Sequence, residues 1–367
     1  MTVSVLRGVR AYRNGTFGEP EDVVISDRVI GGNPTDGQDA ASGGFLIPGL
    51  IDCHVHLHGY ETLSTLAAYG VTSAMDMSSP APLVAALREM PGVCDIRSPL
   101  MAATSPRSAH AGRLKDIPAA AAALVAGVAD VDAWISRHVE QGADYIKIVI
   151  DLPGFDQETV DALVSAAHTH NLIVIAHASR SDAVLMAQRA GVDVLTHAPL
   201  DRPISHSQAS ELTASGTVIV PTLTMMQSVV ENLKARGLPG PTYEPARASV
   251  ATLLAAGMPI LAGTDANATP AAPASPAFGE SLHDELELLV GAGLTPAQAV
   301  NAATSVAAEH FGLRDRGRIA TGLRADLVLL AQDPTLNIAA TRTICGVWIA
   351  GERVTDADQA PNAAGDA

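Results

Sequence analysis

The sequence predicts an α/β protein built as a (β/α)₈ TIM barrel, with a small β-sandwich domain formed from both chain termini. Eight short apolar segments alternate with Ala-rich amphipathic segments through the middle of the chain. Strands that alternate with helices form a parallel sheet, and eight of them close a barrel. The chain has 367 residues, more than the roughly 250 that such a barrel takes, so the strand-rich ends are left for a second domain.

Both ends of the chain carry the pattern of short strands and turns. VSVLRGVRAY and EDVVISDRVI flank Asn14-Gly15, a dipeptide that favours hairpin turns. Apolar strand-like segments return in ADLVLLA and TICGVWIAGERV, whereas the final ADQAPNAAGDA lacks the residues that a packed segment needs. The predicted division is a β domain from 1–48 and 313–356, a barrel over 49–312, and a disordered tail over 357–367.

The central pattern supports a barrel more strongly than an open sheet. The predicted barrel strands are 50–56, 71–77, 96–104, 145–151, 172–179, 194–199, 217–223 and 259–267. Segments between them, such as ETVDALVSAAHTHN, repeat apolar residues at the helical period. A doubly wound sheet is the alternative, but no Gly-rich phosphate-binding turn follows the first strand.

Charge and cysteine content narrow the class of partner. The net charge of −16 and the pI near 5.0 disfavour nucleic acids and anionic membranes, which bind basic surfaces. Cys53, Cys94 and Cys345 are too far apart for a thiolate zinc site or a disulfide framework. The N-terminal stretch has no apolar signal region, so we expect a cytoplasmic protein with a small-molecule substrate. The oligomeric state stays open, and a homo-oligomer is one of the states we consider.

The segment Asp52-Cys53-His54-Val55-His56 carries two histidines on one predicted strand. Alternate residues of a strand share a face, so Asp52, His54 and His56 are expected to point into the barrel. Cys53 and Val55 are then expected to point towards the helices. Two imidazoles at this spacing can bind one metal ion, although an HxH pair also occurs by chance.

Lys147 lies inside the apolar strand YIKIVI and is one of only three lysines in the chain. A buried ammonium is costly unless it is paired. The side chain either extends to solvent at the strand end or has reacted with CO₂ to form a carbamate. The carbamate is an anion with two oxygens that can bridge two cations, and the spacing alone does not separate these interpretations.

Three further candidates lie near the ends of predicted strands: His177 in LIVIAHAS, His197 in VLTHAP and Asp265 in LAGTD. A single histidine at a strand end is usually structural, but two on consecutive strands favour metal binding. Asp265 could cap the next helix or accept a proton from a metal-bound water.

The predicted loops at the carboxyl ends of the strands are where a barrel places its active site. Segments 104–118, 224–246 and 266–280 lack regular periodicity and follow strand ends. His58 and His110 could contact substrate there. Arg107, His110 and Arg113 are candidates for binding a substrate carboxylate, because arginine pairs with carboxylates through two hydrogen bonds. A solvated loop is the alternative.

Taken together, these motifs resemble the amidohydrolase superfamily of metal-dependent hydrolases. The motifs are DCHVHL, YIKIVID, AHAS, THAP and GTDAN, followed by SLHDELELLVGAGLTPAQAVNAATSVAAEHFGL and GRIATGLRADLVLL. The chain is most similar to the prolidase-like and imidazolonepropionase-like branch, as in GVDVLTHAPLD and GTVIVPTL. Where that branch usually has Glu-His-Gly, this chain has Thr196-His197-Ala198, which retains the histidine.

The resemblance implies two divalent metal ions, most often zinc, and a role for each candidate ligand. The implied ligands are His54, His56 and Asp265 for the more buried metal, His177 and His197 for the more exposed one, and carboxylated Lys147 for both. A hydroxide also bridges the metals in this family, and Asp265 transfers its proton to the leaving group.

The function implied is hydrolysis of an amide in a dipeptide, an N-acyl amino acid or a cyclic amide. Hydrolysis of a lactone, an ester or an organophosphate is an alternative, since the same hydroxide attacks those centres. Deamination at a single metal is disfavoured by Lys147. A non-catalytic scaffold with this fold is also considered, although all six ligand positions are filled.

Overall fold

The computed structural model describes residues 3–34, 37–114, 119–269 and 272–354, and the protein has an α/β fold with sheets of parallel strands. Before the parallel sheets come β1 Val3–Arg13, β2 Thr16–Phe17, β3 Glu21–Ser26, β4 Val29–Ile30, β5 Gln38–Ser42 and β6 Phe45–Pro48. The parallel strands are β7 Leu50–Val55, β8 Val71–Asp76, β9 Asp95–Arg97, β10 Ala103–Thr104, β11 Ile146–Val149, β12 Val174–His177, β13 Val194–Thr196 and β14 Val218–Val220. After them come β15 Leu327–Leu330, β16 Ile344–Ile349 and β17 Glu352–Arg353.

Helices connect the parallel strands and follow the last of them. They are α1 Tyr60–Ala68, α2 Ala81–Arg88, α3 Ala109–Leu114, α4 Ala120–Ala123, α5 Val128–Glu140, α6 Gln157–Thr169, α7 Ser181–Ala190, α8 His206–Ala214, α9 Leu223–Ala235, α10 Glu244–Ala255, α11 Glu280–Gly291, α12 Pro296–Ala302 and α13 Ser305–His310. A short 3₁₀ helix covers Ile338–Arg342. Within the described parts of the chain, none of the helices has the length and apolar character needed to cross a membrane.

Strands from both chain ends meet in one mixed sheet. Its order is β17-β16-β15-β6-β1-β3-β4, with β2 and β5 also paired to β1. β6 runs antiparallel to β15, with Ile47 opposite Val328, and parallel to β1, with Leu46 opposite Ala11. Because β6 hydrogen-bonds to β1 on one edge and to β15 on the other, the N-terminal and C-terminal strands belong to one continuous sheet. The predicted β-sandwich is not confirmed, and the predicted tail at 357–367 lies outside the described residues.

The parallel strands form a sheet of five, β10 to β14, and a sheet of three, β7 to β9. The predicted closed barrel is not confirmed as one continuous sheet. The predicted third strand divides into β9 and β10, and Leu100 between them has a φ of 62°. The predicted eighth strand makes only isolated bridges, from Ile260 to Ile219 on one side and from Ala266 to Val55 on the other. A backbone with positive φ leaves the β region, so the ladder cannot continue through it.

Segment 259–267 nevertheless lies against both sheets. Leu261 N donates to Ile219 O of β14 at 2.9 Å, and Cys53 N of β7 donates to Ala262 O at 2.9 Å. Gly263 permits this approach, because a Cβ there would lie 2.8 Å from the backbone nitrogen of His54. The segment therefore places its residues beside β7.

Alternation along β11 separates two packed layers. Ile146 and Ile148 belong to the large apolar cluster shared with the helices, whereas Tyr145 packs in a smaller cluster formed mainly by strands. Lys147 and Val149 face the same side as Tyr145, as predicted, and line a cavity. Fully burying an apolar side chain of this size contributes about 1.5–3 kcal/mol, which holds the strand in this register.

Two expectations from the sequence, one about β7 and one about segment 224–246, are wrong. Strand alternation predicts that Cys53 faces the helices, but it packs in the strand cluster with Met75 and Tyr145. The register of β7 against β8 shifts between Asp52 and Val55, which breaks strict alternation. The weak periodicity of segment 224–246 predicts irregular structure, but α9 occupies its first half.

Candidate metal centre

Three largely buried side chains from separate segments converge at the carboxyl ends of the parallel strands. His54, His197 and Asp265 each offer a ligand atom, and these atoms lie within 4.8 Å of one another. His54 Nε2 is 3.3 Å from Asp265 Oδ1, and His197 Nδ1 is 4.0 Å from Asp265 Oδ2. One cation placed among them would have a carboxylate and two imidazoles within reach.

Two more predicted residues adjoin this group. His56 Nε2 lies 3.1 Å from Asp265 Oδ1, so both histidines of the HxH pair face the same carboxylate. His177 Nδ1 lies 2.8 Å from His197 Nε2, and the two rings are 4.5 Å apart between centroids. The fold thus brings five of the predicted ligands into one chain of contacts.

Left-handed backbone conformations turn two of these side chains towards the centre. His197 has a φ of 67° and Asp265 a φ of 57°. Thr222, between β14 and α9, has a φ of 46°, which is unusual for a β-branched residue, and its hydroxyl lies 2.7 Å from His197 Nδ1. Such conformations cost about 1–3 kcal/mol each and persist where the surrounding structure imposes them.

Lys147 is buried beside the histidines, and its Nζ donates a hydrogen bond to Thr196 Oγ1 at 2.7 Å. Burial lowers the pKa of the Lys147 amine to about 7, although Asp265 and Asp76 partly oppose the shift. A large fraction of the amine is therefore neutral near pH 7. The sequence interpretation in which the side chain extends to solvent is wrong, because only 3% of Lys147 is exposed.

The electrostatics of the centre suit a bound cation. Burial holds the pKa of His54 and His177 well below the usual range and lowers that of His197 to about 4, so these imidazoles are neutral and each has one unprotonated ring nitrogen. Burial opposes ionisation of Asp265, but the adjacent histidines outweigh it and hold its pKa well below normal. His54 Nδ1 is buried without a hydrogen-bond partner among the described residues. Neutral imidazoles with one carboxylate are a donor set that Zn²⁺ and similar metals prefer, so the residues fit such an ion.

The buried acid Asp52 forms hydrogen bonds to His54, a candidate ligand, and to Thr264, which directly precedes the candidate ligand Asp265. Asp52 accepts hydrogen bonds from the backbone N–H groups of His54 and Thr264 at 3.1 Å each, and from Thr264 Oγ1 at 2.7 Å. Burial raises the pKa of Asp52 to about 7 against these hydrogen bonds. Strand alternation in the sequence places Asp52 on the inner face but assigns it no role.

Asp151 is a residue that the sequence reasoning missed. Its Oδ2 accepts a hydrogen bond from the backbone N–H of His110 at 3.2 Å, and its Oδ1 lies 3.8 Å from His177 Nε2. Alternation from Lys147 through Val149 would have found it, because all three residues share one face of the strand and its extension. Asp151 connects α3 with a candidate ligand.

A cavity of about 840 Å³ opens onto the centre. His58, His110 and Arg113 line it with the candidate ligands, and His58 Nε2 accepts a hydrogen bond from Ala268 N at 3.1 Å. Arg107 is not among the lining residues; its side chain is 63% exposed and lies 3.9 Å from Asp156 Oδ2. The position of Arg107 therefore does not support the predicted contact with a substrate carboxylate.

Comparison with known proteins assigns the chain to a family. The model of the amidohydrolase family matches residues 45–354. The match spans most of the chain, and the protein belongs to the amidohydrolase family.

The individual relatives share about a third or less of their residues with this chain. An uncharacterized protein of Mycobacterium tuberculosis is 27% identical over 361 residues, covering 89% of this chain and 91% of the relative. Imidazolonepropionase of Deinococcus deserti is 32% identical over 240 residues, which are 64% of this chain and 54% of that enzyme. Among solved structures, a Xaa-Pro dipeptidase with bound methionine superposes with a TM-score of 0.83 at 20% identity, covering 96% of this chain and 99% of the other. At this identity the superposition establishes the shared fold.

Proposed function

We propose that the protein is a metal-dependent hydrolase that cleaves an amide bond with the help of two divalent metal ions, most simply zinc. The observation that carries the proposal is the run of contacts joining His54, His56, Asp265, His197 and His177 in the lining of the cavity, with ligand atoms of His54, His197 and Asp265 within 4.8 Å of one another. Membership of the amidohydrolase family supports a hydrolase. The names of the imidazolonepropionase and Xaa-Pro dipeptidase relatives support carbon–nitrogen bonds as the target.

The described residues include candidate ligands for both ions. His54, His56 and Asp265 would hold one ion, His177 and His197 would hold the other, and Lys147 would contribute to both. Lys147 takes part as a carbamate: the neutral amine attacks CO₂, a C–N bond forms, and the nitrogen loses a proton to solvent. The product is an anion in a buried position where a free ammonium has only Thr196 as a hydrogen-bond partner among the described residues.

The chain's own residues divide the remaining tasks. When bound, the metals supply Lewis acidity towards the scissile carbonyl and lower the pKa of water towards neutrality. Asp265 is ionised and adjoins both His54 and His56, so it can accept the proton of the attacking water. The same carboxyl then donates that proton to the departing nitrogen, which leaves as a neutral amine.

The lining of the cavity and the charge of the chain favour a carbonyl substrate over a phosphate monoester. Many of its lining side chains are apolar, and the chain carries a net charge of −16, which does not favour a phosphate monoester. Esters and lactones remain alternatives, because attack on their carbonyl needs the same groups. We also propose a cytoplasmic location and a small-molecule substrate rather than nucleic acid.

Metal analysis combined with a substrate screen tests this function. Protein purified without chelator should contain about two zinc equivalents per chain and should hydrolyse at least one dipeptide, N-acyl amino acid or cyclic amide. Chelation should abolish turnover, and added zinc should restore it. Full activity in metal-free protein, or efficient turnover of phosphate monoesters with no carbonyl substrate, would contradict the proposal.

A further inference from the structure

The lining of the cavity combines charged and apolar side chains. Apart from the candidate ligands, charged side chains follow strands β10 to β13 and are Arg113, Asp151, Arg180 and Asp201. Apolar side chains line the cavity on several sides, and one group of them, Met225, Met226 and Val229, comes from the single helix α9. A substrate in contact with the candidate ligands therefore has an apolar helix surface within reach.

Helix α9 supplies a continuous apolar surface. Met225 and Met226 are 3% and 4% exposed, and Val229 follows at helical spacing on the same side. Methionine side chains are flexible and polarisable, so they adapt to apolar groups of different shape.

The start of α9 is fixed relative to the candidate ligands. The hydroxyl of Thr222, the residue just before the helix, lies 2.7 Å from His197 Nδ1. Glu285 accepts hydrogen bonds from the backbone N–H groups of Leu223 and Thr224 at 3.0 and 2.7 Å. These contacts therefore hold the apolar surface of α9 in a fixed position relative to His197.

We propose that Met225, Met226 and Val229 form a subsite for a bulky apolar group, an aromatic ring or a medium-length aliphatic chain, on one side of the scissile amide. The inference rests on the proposed amide hydrolysis and names its substrate class. A cavity of about 840 Å³ is near the upper end of ligand pockets and far exceeds an acetyl group. Each methylene buried against α9 should raise kcat/KM about fourfold until the apolar space is filled.

A series of N-acyl amino acids from acetyl to octanoyl, with benzoyl added, tests the subsite. Wild-type kcat/KM should rise with chain length, and Val229→Asn should flatten the rise. Val230→Asn is the matched control: Val230 lies on the same helix and packs against the helix-facing core but does not line the cavity. It should retain the wild-type slope. Val229→Ala, a milder change, should reduce the slope if the asparagine variant does not fold.

Calorimetric titration of the metal-loaded protein with acetate and with octanoate separates the subsite from the hydrolytic function. Tighter binding of octanoate, weakened by Val229→Asn but not by Val230→Asn, supports the subsite even if no amide is hydrolysed. Equal kcat/KM for all acyl lengths, with equal affinity for acetate and octanoate, overturns the subsite while hydrolysis stands.

Discussion

Thr264 donates a hydrogen bond of 2.7 Å to the buried carboxylate of Asp52, which joins strand β7 to the segment that ends in Asp265. The same carboxylate accepts the backbone N–H groups of His54 and Thr264. His54 and Asp265 provide two of the three converging ligand atoms. The hydrogen bonds between Asp52 and Thr264 therefore fix the distance between these two ligands.

Thr264→Val should destabilise the fold. The substitution keeps the shape of the side chain and leaves one oxygen of a buried acid without its hydroxyl donor, which costs about 1–3 kcal/mol. Urea-induced unfolding measures the loss. Thr65→Val removes an exposed hydroxyl that donates to Glu61 O in the preceding turn of the helix, so the control should change stability by less than about 0.5 kcal/mol. Equal, small changes in both variants would show that the Asp52–Thr264 bond does not support the site.

The stability of α9 should depend on pH through Glu285. Burial raises the pKa of Glu285 to about 7, against hydrogen bonds from Thr224 and Leu223. The unfolded chain releases this proton near pH 4.5, so between pH 4.5 and 7 the folded state binds more protons and stability falls as pH rises. Glu285→Gln removes this titration. The unfolding free energy of the variant relative to wild type should therefore rise across that window.

Glu287→Gln is the control for this measurement. Glu287 lies on the same helix with a side chain that is 44% exposed, and it pairs with Arg342 at 3.1 Å. Its difference from wild type should be less than about 1 kcal/mol, because exposed ion pairs contribute little to stability. A flat difference for Glu285→Gln over that range would mean that Glu285 keeps an ordinary pKa in the folded state.

Asp265→Asn should reduce turnover while the protein stays folded. The carboxylate is the group that we assign to proton transfer, and such steps typically contribute about 10²–10⁴-fold. Metal content must be measured with kcat, because loss of a ligand would add to the defect. Asp161→Asn, a change at an exposed side chain of α6 that accepts a hydrogen bond from Gln157, should leave both quantities unchanged. A wild-type kcat in Asp265→Asn would remove this residue from the mechanism.

Regular strands made much of the site predictable. Lys147 and Val149 line the cavity and Tyr145 packs on the same side, because alternation is imposed by strand geometry. Histidines at the ends of successive parallel strands were also correctly expected to be neighbours. His177 ends β12, His197 follows β13, and their rings are in contact.

Features that depend on distant contacts were not predictable. The positive φ of His197 and Asp265 is imposed by surrounding packing and leaves no local pattern in the sequence. The weak periodicity of segment 224–246 does not predict helix α9, and the side chain of Thr222, the residue just before the helix, does not cap it. The capping oxygens come from Glu285, which follows Leu223 by 62 residues.

Lys147→Ala should lose metal and activity together. Lys147 is buried, contacts only the Thr196 hydroxyl among the described polar side chains, and faces the same cavity as the histidines. Short-chain carboxylates should partly restore both properties by replacing the carbamate, whereas Lys147→Arg should fail because a guanidinium stays cationic. Lys234→Ala, on the exposed part of α9, is the control and should bind metal normally. Elemental analysis and intact mass spectrometry of the variants measure these effects, and full metal occupancy in Lys147→Ala would refute the bridging role.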